Sequence, residues 1–303
     1  MNTLYTSIST GKYVLAVSGG VDSVVLLDIL SKNKDLDLIV AHFDHGIRPD
    51  SIDDQLFVKN LAKKYGLKYE FDKGNLGKNA SEAEAREARY NFLNTVKEKY
   101  ATQAIITAHH QDDVIETSMI NLIRGTGRQG LTSLKSNSEI IRPLLFVSKA
   151  DLVKYAKDHN LDWHEDTTNI DKKYLRNKLR LDVVNKMTSQ QRSEWLQLLE
   201  KEEHVNTKLD KELGQAVRRG LHKNQLVLNR HWFTMLPHKV AKEILISILK
   251  QAGAREIDRK MIERLTIQIK TIPAGKTLQA SGVEILLTKR SARFYSKNNS
   301  QKS

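Results

Sequence analysis

Lys12-Tyr13-Val14-Leu15-Ala16-Val17-Ser18-Gly19-Gly20-Val21-Asp22-Ser23-Val24-Val25-Leu26-Leu27-Asp28-Ile29-Leu30 is the stretch on which the fold turns. Residues 12–17 are an apolar run of strand length, closed by a glycine turn. Val24 to Leu30 reads as an amphipathic helix. Glycines let the backbone turn tightly and approach an anion with no Cβ in the way. The helix that follows offers free N–H groups and a positive dipole end, a ready phosphate site. Ser18 and Ser23 add hydroxyl donors, and Val21 completes the turn. Asp22 would repel phosphate unless a divalent cation lay between them, so its presence argues for Mg²⁺. A Ser-Gly-Gly turn alone is equally an ordinary capped connection; Asp22 with the flanking strand and helix favours function. No Gly-Lys-Ser/Thr follows, so this is not a Walker A loop.

Outward from this turn, strands and helices alternate. Leu36 to Ala41 is a second apolar run, ending at His42-Phe43-Asp44-His45-Gly46. Residues 53–65 look helical and 67–71 strand-like. Ser81-Glu82-Ala83-Glu84 is a capping box opening a helix that runs to about Tyr100. Gln103 to Ala108 is another strand and 111–123 another helix. The pattern predicts an α/β domain, a parallel sheet with helices on both faces and its ligand crevice beyond the strands' carboxyl ends. After Arg142-Pro143 the alternation fades. Residues 148–158 read as a helix, 163–180 as a charged polar stretch, and 188–213 as a long polar helix. A smaller, mostly helical domain follows, with helices over 239–252 and 257–270 and strands near 276–279 and 283–288 joined by Ser281-Gly282. The tail from Ser296 is expected to be disordered. The expected organisation is a catalytic domain 1–187, a linker helix 188–214 and a basic C-terminal domain 215–303.

The 303 residues carry a net charge of +13 and no cysteine. Without cysteine there are no disulfides, iron–sulfur clusters, thiolate zinc sites or thiol nucleophiles. A chain 40% hydrophobic and 28% charged is ordinary globular protein rather than a disordered one. No apolar run approaches the roughly 20 residues that cross a bilayer. Met1 to Thr10 has neither a basic region nor an apolar core, so no secretory signal is expected and the cytoplasm is the expected location. Residues 1–170 hold 21 Lys and Arg against 23 Asp and Glu, whereas 171–303 hold 28 against 13. The whole excess therefore lies in the second part. That suits a polyanionic partner bound in a salt-dependent way; a lysine-rich surface for solubility fits the charge equally well.

Thr107-Ala108-His109-His110-Gln111-Asp112-Asp113-Val114-Ile115-Glu116-Thr117 starts at a strand's carboxyl end and enters a helix. His109 and Asp113 share a helical face, as do Asp112 and Glu116. Three acids at a crevice repel one another unless a metal or cationic substrate sits among them. Interaction with the helix dipole accounts for Asp112 and Asp113 but not for the histidine pair. Carboxylate oxygens suit Mg²⁺ better than zinc. Arg86, Arg89 and Tyr90 lie on the capped helix, where an arginine fork suits phosphate and neighbouring glutamates suit plain ion pairs. Gly125-Thr126-Gly127-Arg128-Gln129-Gly130 matches the dinucleotide fingerprint, yet it follows a helix rather than a strand, so a nicotinamide site is rejected. A mobile loop with Arg124 and Arg128 available to phosphate is expected instead. Asp166-Thr167-Thr168-Asn169, with Arg176, Asn177 and Arg180 beyond, suits either a solvated capped helix or a nucleic-acid contact that exposes two arginines. His42 and His45 receive no chemistry.

The Ser-Gly-Gly-Val-Asp-Ser hexapeptide resembles the loop of the ATP pyrophosphatase, or PP-loop, superfamily. Six further blocks resemble one family within it, tRNA(Ile)-lysidine synthase. They are Asp44-His45-Gly46-Ile47-Arg48, Ala85 to Tyr90, Thr107 to Thr117, Leu122 to Leu131, Arg142-Pro143-Leu144-Leu145, and Asp166 to Asn169 with Arg176, Asn177 and Arg180. The resemblance implies ATP and Mg²⁺ as cofactors. It implies tRNA(Ile) with a CAU anticodon and free L-lysine as partners, with no membrane. ATP adenylates the wobble cytidine's carbonyl oxygen and the lysine amine then displaces AMP. It implies Asp22, His109, Asp113, Glu116 and Arg86 as catalytic residues, with Asp22 the metal ligand. Ser18, Gly19, Gly20, Val21, Asp22 and Ser23 would hold the nucleotide, and Asp112, Arg124, Arg128, Arg176 and Arg180 the tRNA. Asp113 and Glu116 would hold the lysine ammonium and help remove its proton. The absence of cysteine excludes thiolation and glutamine-dependent amidation. An ammonia-dependent amide ligase and a non-catalytic, nucleotide-sensing RNA-binding protein stay as alternatives, and monomer and homodimer are both open.

Overall fold

The computed structural model describes residues 8–46, 51–74, 81–164, 175–220, 226–254 and 257–296. Ile47, Arg48, Asp166 to Asn169 and the tail beyond Ser296 lie outside the described residues. Two compact units divide at Glu202/Glu203. This falls inside the long helix α8 (Ser189–Gly220), which contains most of the expected linker.

In the first unit the elements run β1 (Gly11–Ala16), α1 (Val21–Ser31), β2 (Leu36–Asp44), α2 (Ser51–Lys64), β3 (Lys68–Lys73), α3 (Glu82–Lys99), β4 (Ala104–Ile106), α4 (Gln111–Ile123), α5 (Arg128–Leu131), β5 (Ile140–Ile141), α6 (Lys149–Asp158) and α7 (Leu175–Asp182). The sheet is wholly parallel in the order β3-β2-β1-β4-β5. Alternate strand residues point to opposite faces. Leu15, Val40 and Ile106 pack with α1, α2 and α6, while Val14, Ile39 and Ile105 pack with Phe92, Leu93 and Val96 of α3. Chain order reverses between β1 and β4, so the turns leaving these adjacent strands flank one crevice.

One expectation changes. Helix α1 is not amphipathic: Val21 and residues 23–30 are all buried. It is covered by the sheet on one side and by α2 and α6 on the other, and a helix covered all round is apolar all round. Its buried charge, Asp28, is satisfied by Tyr65 Oη at 2.8 Å, Tyr155 Oη at 2.8 Å and Lys32 Nζ at 2.6 Å.

The second unit carries β6 (Val227–Asn229), α9 (Arg230–Met235), α10 (His238–Gln251), α11 (Arg259–Thr271), β7 (Thr277–Ala280), β8 (Val283–Leu287) and β9 (Ser291–Ser296). Four strands, where the sequence suggested two, form an antiparallel sheet in the order β6-β9-β8-β7. Ile244, Leu245 and Ile248 of α10 and Leu265 and Ile269 of α11 join Val283, Ile285 and Ala292 in its own core. Ser281 (φ 35°) and Gly282 (φ 82°) form the β7–β8 turn; two consecutive positive φ values match the twist of a two-residue hairpin. Some of the unit's basic charge is consumed internally, since Arg230 donates to the carbonyls of Ile269, Ile272 and Thr288.

Candidate active site

The turn after β1 is fixed by its own side chains. Ser23 Oγ accepts from the N–H groups of Ser18 and Gly19, both at 3.2 Å, and donates to the Gly20 carbonyl at 2.9 Å. Gly19 sits at φ +96°, where only glycine is unstrained. Its carbonyl accepts from His164 N at 3.0 Å, and His164 is itself held by Asp54 at 2.6 Å and stacked on Phe57. Gly20 caps α1 without using a side chain. The first-turn N–H groups of Val21 and Asp22 therefore have no carbonyl one turn back to receive them. His42, deep beneath the turn, donates its Nδ1–H to the Val17 carbonyl at 2.8 Å and serves packing.

Across the switch point, His110 caps α4. Its Nδ1 accepts from Asp112 N at 3.2 Å, and its backbone N–H donates to Asp113 Oδ2 at 2.9 Å. With Nδ1 accepting, the neutral ring carries its proton on Nε2. That nitrogen lies 3.6 Å from Asp22 Oδ2 and 3.6 Å from Asp113 Oδ2. The phosphate turn and the acidic segment thus meet at one imidazole. Lys149, the first residue of α6, bridges both Asp22 oxygens at 2.7 and 2.9 Å.

Burial would raise the Asp113 pKa, but His110, the His110 N–H and Arg176 outweigh it and hold the carboxylate below its ordinary value. His109 donates to or accepts from Thr107 Oγ1 at 2.8 Å. Burial, reinforced by Arg89, Arg142 and Arg86 against the pull of Asp113, pushes its pKa down to about 3. A ring that weakly basic is a hydrogen-bonding partner rather than a general base. Arg86 is exposed and lies over Tyr90 at 4.8 Å. Arg89, beside it on α3, has a buried Nε without a hydrogen-bond partner, and burial lowers its pKa. The sequence signal for Arg89 was its place in the same fork.

Other expected site residues are spent inside the protein. Glu116 is fully buried and accepts from Arg180 Nε at 2.6 Å, Arg180 Nη2 at 2.9 Å and Arg176 Nε at 3.2 Å. The expectation that Arg176 and Arg180 are exposed is thereby corrected: both turn inward because a buried carboxylate needs compensating charge. Asp112 pairs with Arg192 of α8, a residue the sequence did not single out. Arg124 is exposed on the loop after α4 and Arg128 heads the short α5, away from the histidine pair in sequence and on a different element.

The donor set fits Mg²⁺ in one specific way. Among the described residues no three His, Asp or Glu side chains converge as a metal cage. One carboxylate beside a phosphate turn is what Mg²⁺ uses when substrate oxygens and water complete its octahedron.

The low His109 pKa has a consequence for acid stability. An unfolded histidine titrates near 6.5 and the folded one near 3, so the unfolded chain binds more protons between these values and stability falls as pH drops through that window. At about 1.36 kcal/mol per unit, reduced because the ring is partly open to solvent, His109 is expected to cost about 1 kcal/mol between pH 7 and pH 5. His109→Asn should lose that much less stability over the same step, measured by urea unfolding at both pH values. Equal losses would remove His109 as the cause; Asp113 does not interfere, because its stabilisation is lost only below the carboxylate range.

Residues 1–187 match the PP-loop domain family. Over 203 residues the chain is 36% identical to tRNA(Ile)-lysidine synthase of Bacteroides thetaiotaomicron, covering 64% of this chain and 47% of that one. Over 194 residues it is 41% identical to tRNA(Ile)-lysidine synthase of Lactobacillus johnsonii, covering 58% and 44%. The chain thus spans less than half the length of these curated relatives. Among solved structures it is similar to the U34-tRNA thiolase NcsA from Methanococcus maripaludis, with a TM-score of 0.54 and 19% identity over 65% of this chain and 73% of that one. That likeness concerns the fold alone.

Proposed function

The chain belongs to the PP-loop domain family, and from that premise we propose that it is a tRNA(Ile)-lysidine synthase. It would adenylate the wobble cytidine of a CAU anticodon with ATP and join L-lysine to it, releasing pyrophosphate and AMP. The observation that carries this reading is the meeting of Asp22, His110 and Asp113, which brings a turn suited to phosphate beside the acidic start of α4. The two curated relatives bear that name.

Each step makes a demand that residues of this chain meet. The N–H groups of Val21 and Asp22, at the positive end of α1, hold phosphate oxygens. Asp22 is the proposed Mg²⁺ ligand, and the ion when bound spreads the charge that builds on departing pyrophosphate. A cytosine carbonyl is a poor electrophile; as an adenylate its oxygen leaves readily. Asp113, kept ionised by its neighbours, anchors a lysine ammonium, and neutral His109 beside it does not repel that charge. The amine's proton becomes acidic as its nitrogen bonds to carbon, and a positioned carboxylate is then basic enough to take it. Glu116, closed off by two guanidiniums, positions Arg180 against Asp113 at 3.5 Å rather than touching lysine. The described residues of the second unit leave Lys276, Lys289, Arg290 and Arg293 exposed on its sheet and turns, suited to tRNA phosphates.

No helix among the described residues is long and apolar enough to cross a membrane. The test is one thin-layer assay of α-labelled ATP. AMP is expected only when lysine and a transcript bearing CAU are both added, and a CAG transcript should give none. AMP formed with ammonia and no RNA would replace this reading with the amide-ligase alternative.

A further inference from the structure

Lysine at the first position of a helix is on the wrong end of the dipole, where carboxylates are favoured. Lys149 occupies that position in α6, immediately after the N-cap Ser148. A residue that breaks a local rule in an otherwise consistent element is a candidate for function. The bland explanation is a tie between α6 and α1 through Asp22. The two helices, however, are already joined without it. Leu152 and Ala156 are fully buried in the shared core, and Tyr155 Oη donates to Asp28 Oδ2 at 2.8 Å. The Ser148 hydroxyl fixes the start of α6 by accepting from Asp151 N at 3.1 Å. Both backbones are thus held independently, and what remains free to move is the four-carbon stem of Lys149, whose side chain is 41% exposed.

Its ammonium covers both oxygens of the carboxylate that a divalent cation would need. A divalent cation on either oxygen would meet that ammonium's like charge, so each cation weakens the hold of the other. On the reading of this turn as a triphosphate site, we propose that Lys149 is the counter-ion that Asp22 keeps until nucleotide and metal bind. It neutralises Asp22 until the divalent cation takes that carboxylate, then turns onto the nucleotide's phosphate oxygens. A lysine ammonium is suited to this exchange because it is a compact charge on a flexible stem, and phosphate accepts it as well as carboxylate does. The same side chain therefore opposes the metal on its own and assists the nucleotide once the metal has taken Asp22.

These two actions have opposite signs, which separates them from a structural role. In the full chain, Lys149→Met is expected to bind Mn²⁺ alone about three-fold more tightly than wild type, read by electron paramagnetic resonance, because a competing cation has gone. At saturating Mg²⁺ the same variant is expected to bind α,β-methylene-ATP roughly ten-fold more weakly. Lys149→Arg keeps the charge and should leave Mn²⁺ affinity near wild type. Lys149→Gln gives the same pair of readings should the methionine variant fail to fold. Unchanged or weaker Mn²⁺ binding in the neutral variants overturns the proposal, as does unchanged analogue binding. A wild-type chain that binds no analogue overturns the triphosphate reading beneath it; wild type and variant binding it equally overturns only the role of Lys149.

Discussion

An Asp22→Asn chain is expected to form pyrophosphate from ATP about 10²–10³-fold more slowly than wild type, the loss typical of one electrostatic group at a developing charge. Its affinity for tRNA should stay close to wild type. The prediction separates rate from architecture. Asp22 makes no hydrogen bond that shapes the turn, which is held by Ser18, Ser23 and the carbonyls of Gly19 and Gly20. Its side-chain partners are Lys149 and His110. A neutral amide keeps the volume and the first turn of α1 but neither ligates Mg²⁺ well nor balances a lysine. The donors at the start of α1 remain, so nucleotide binding should weaken less than catalysis. Single-turnover release of labelled pyrophosphate, beside filter binding of the tRNA, reads both quantities. Pyrophosphate release at the wild-type rate would remove Asp22 from the reaction and with it the metal assignment.

The turn was legible because its chemistry is local. Glycine at positive φ, a serine that folds back on the backbone and a helix start all follow from neighbours within six residues. The alternation of apolar runs likewise indicated the parallel sheet with a crevice beyond its strands' carboxyl ends, while the β1–β4 switch emerges only from the strand order. What the sequence did not disclose depends on partners far away in the chain. Arg176 and Arg180 look like solvated or RNA-facing side chains until Glu116, sixty residues earlier, is seen to be fully buried against them. Arg192 carries no motif, and its role arises from Asp112 on another helix. Strands β5, β6 and β9 escaped for different reasons. The first two are two and three residues long, too short for a period to register. The third begins Ser291-Ala292-Arg293, small and polar residues whose alternation appears only against β8. Residues 24–30 read as amphipathic because Asp28 mimics a polar face, although its carboxylate is satisfied by Lys32, Tyr65 and Tyr155.

Glu116→Gln is expected to destabilise the fold by about 3–5 kcal/mol, the cost of leaving buried charge without its partner. The carboxylate has no exposed surface and accepts three guanidinium N–H bonds from two arginines on α7. An amide accepts at one oxygen only and presents N–H to the guanidinium at the other, so one attraction becomes a repulsion between donors. Arg176 keeps its bond to Thr117 Oγ1 at 2.9 Å, and Arg180 keeps Asp113 at 3.5 Å. Part of the charge therefore passes to Asp113, drawing Arg180 toward the carboxylate proposed to receive lysine. Two effects should then appear together: a lower urea midpoint with an unchanged slope, and a raised KM for lysine through an Asp113 already occupied. Glu116→Asp, which keeps the charge but shortens the reach, should fall between. A residue that only touched substrate would behave otherwise, raising KM while leaving the urea midpoint where it was. That result would return Glu116 to the lysine pocket and require α7 to be held by contacts other than this buried pair.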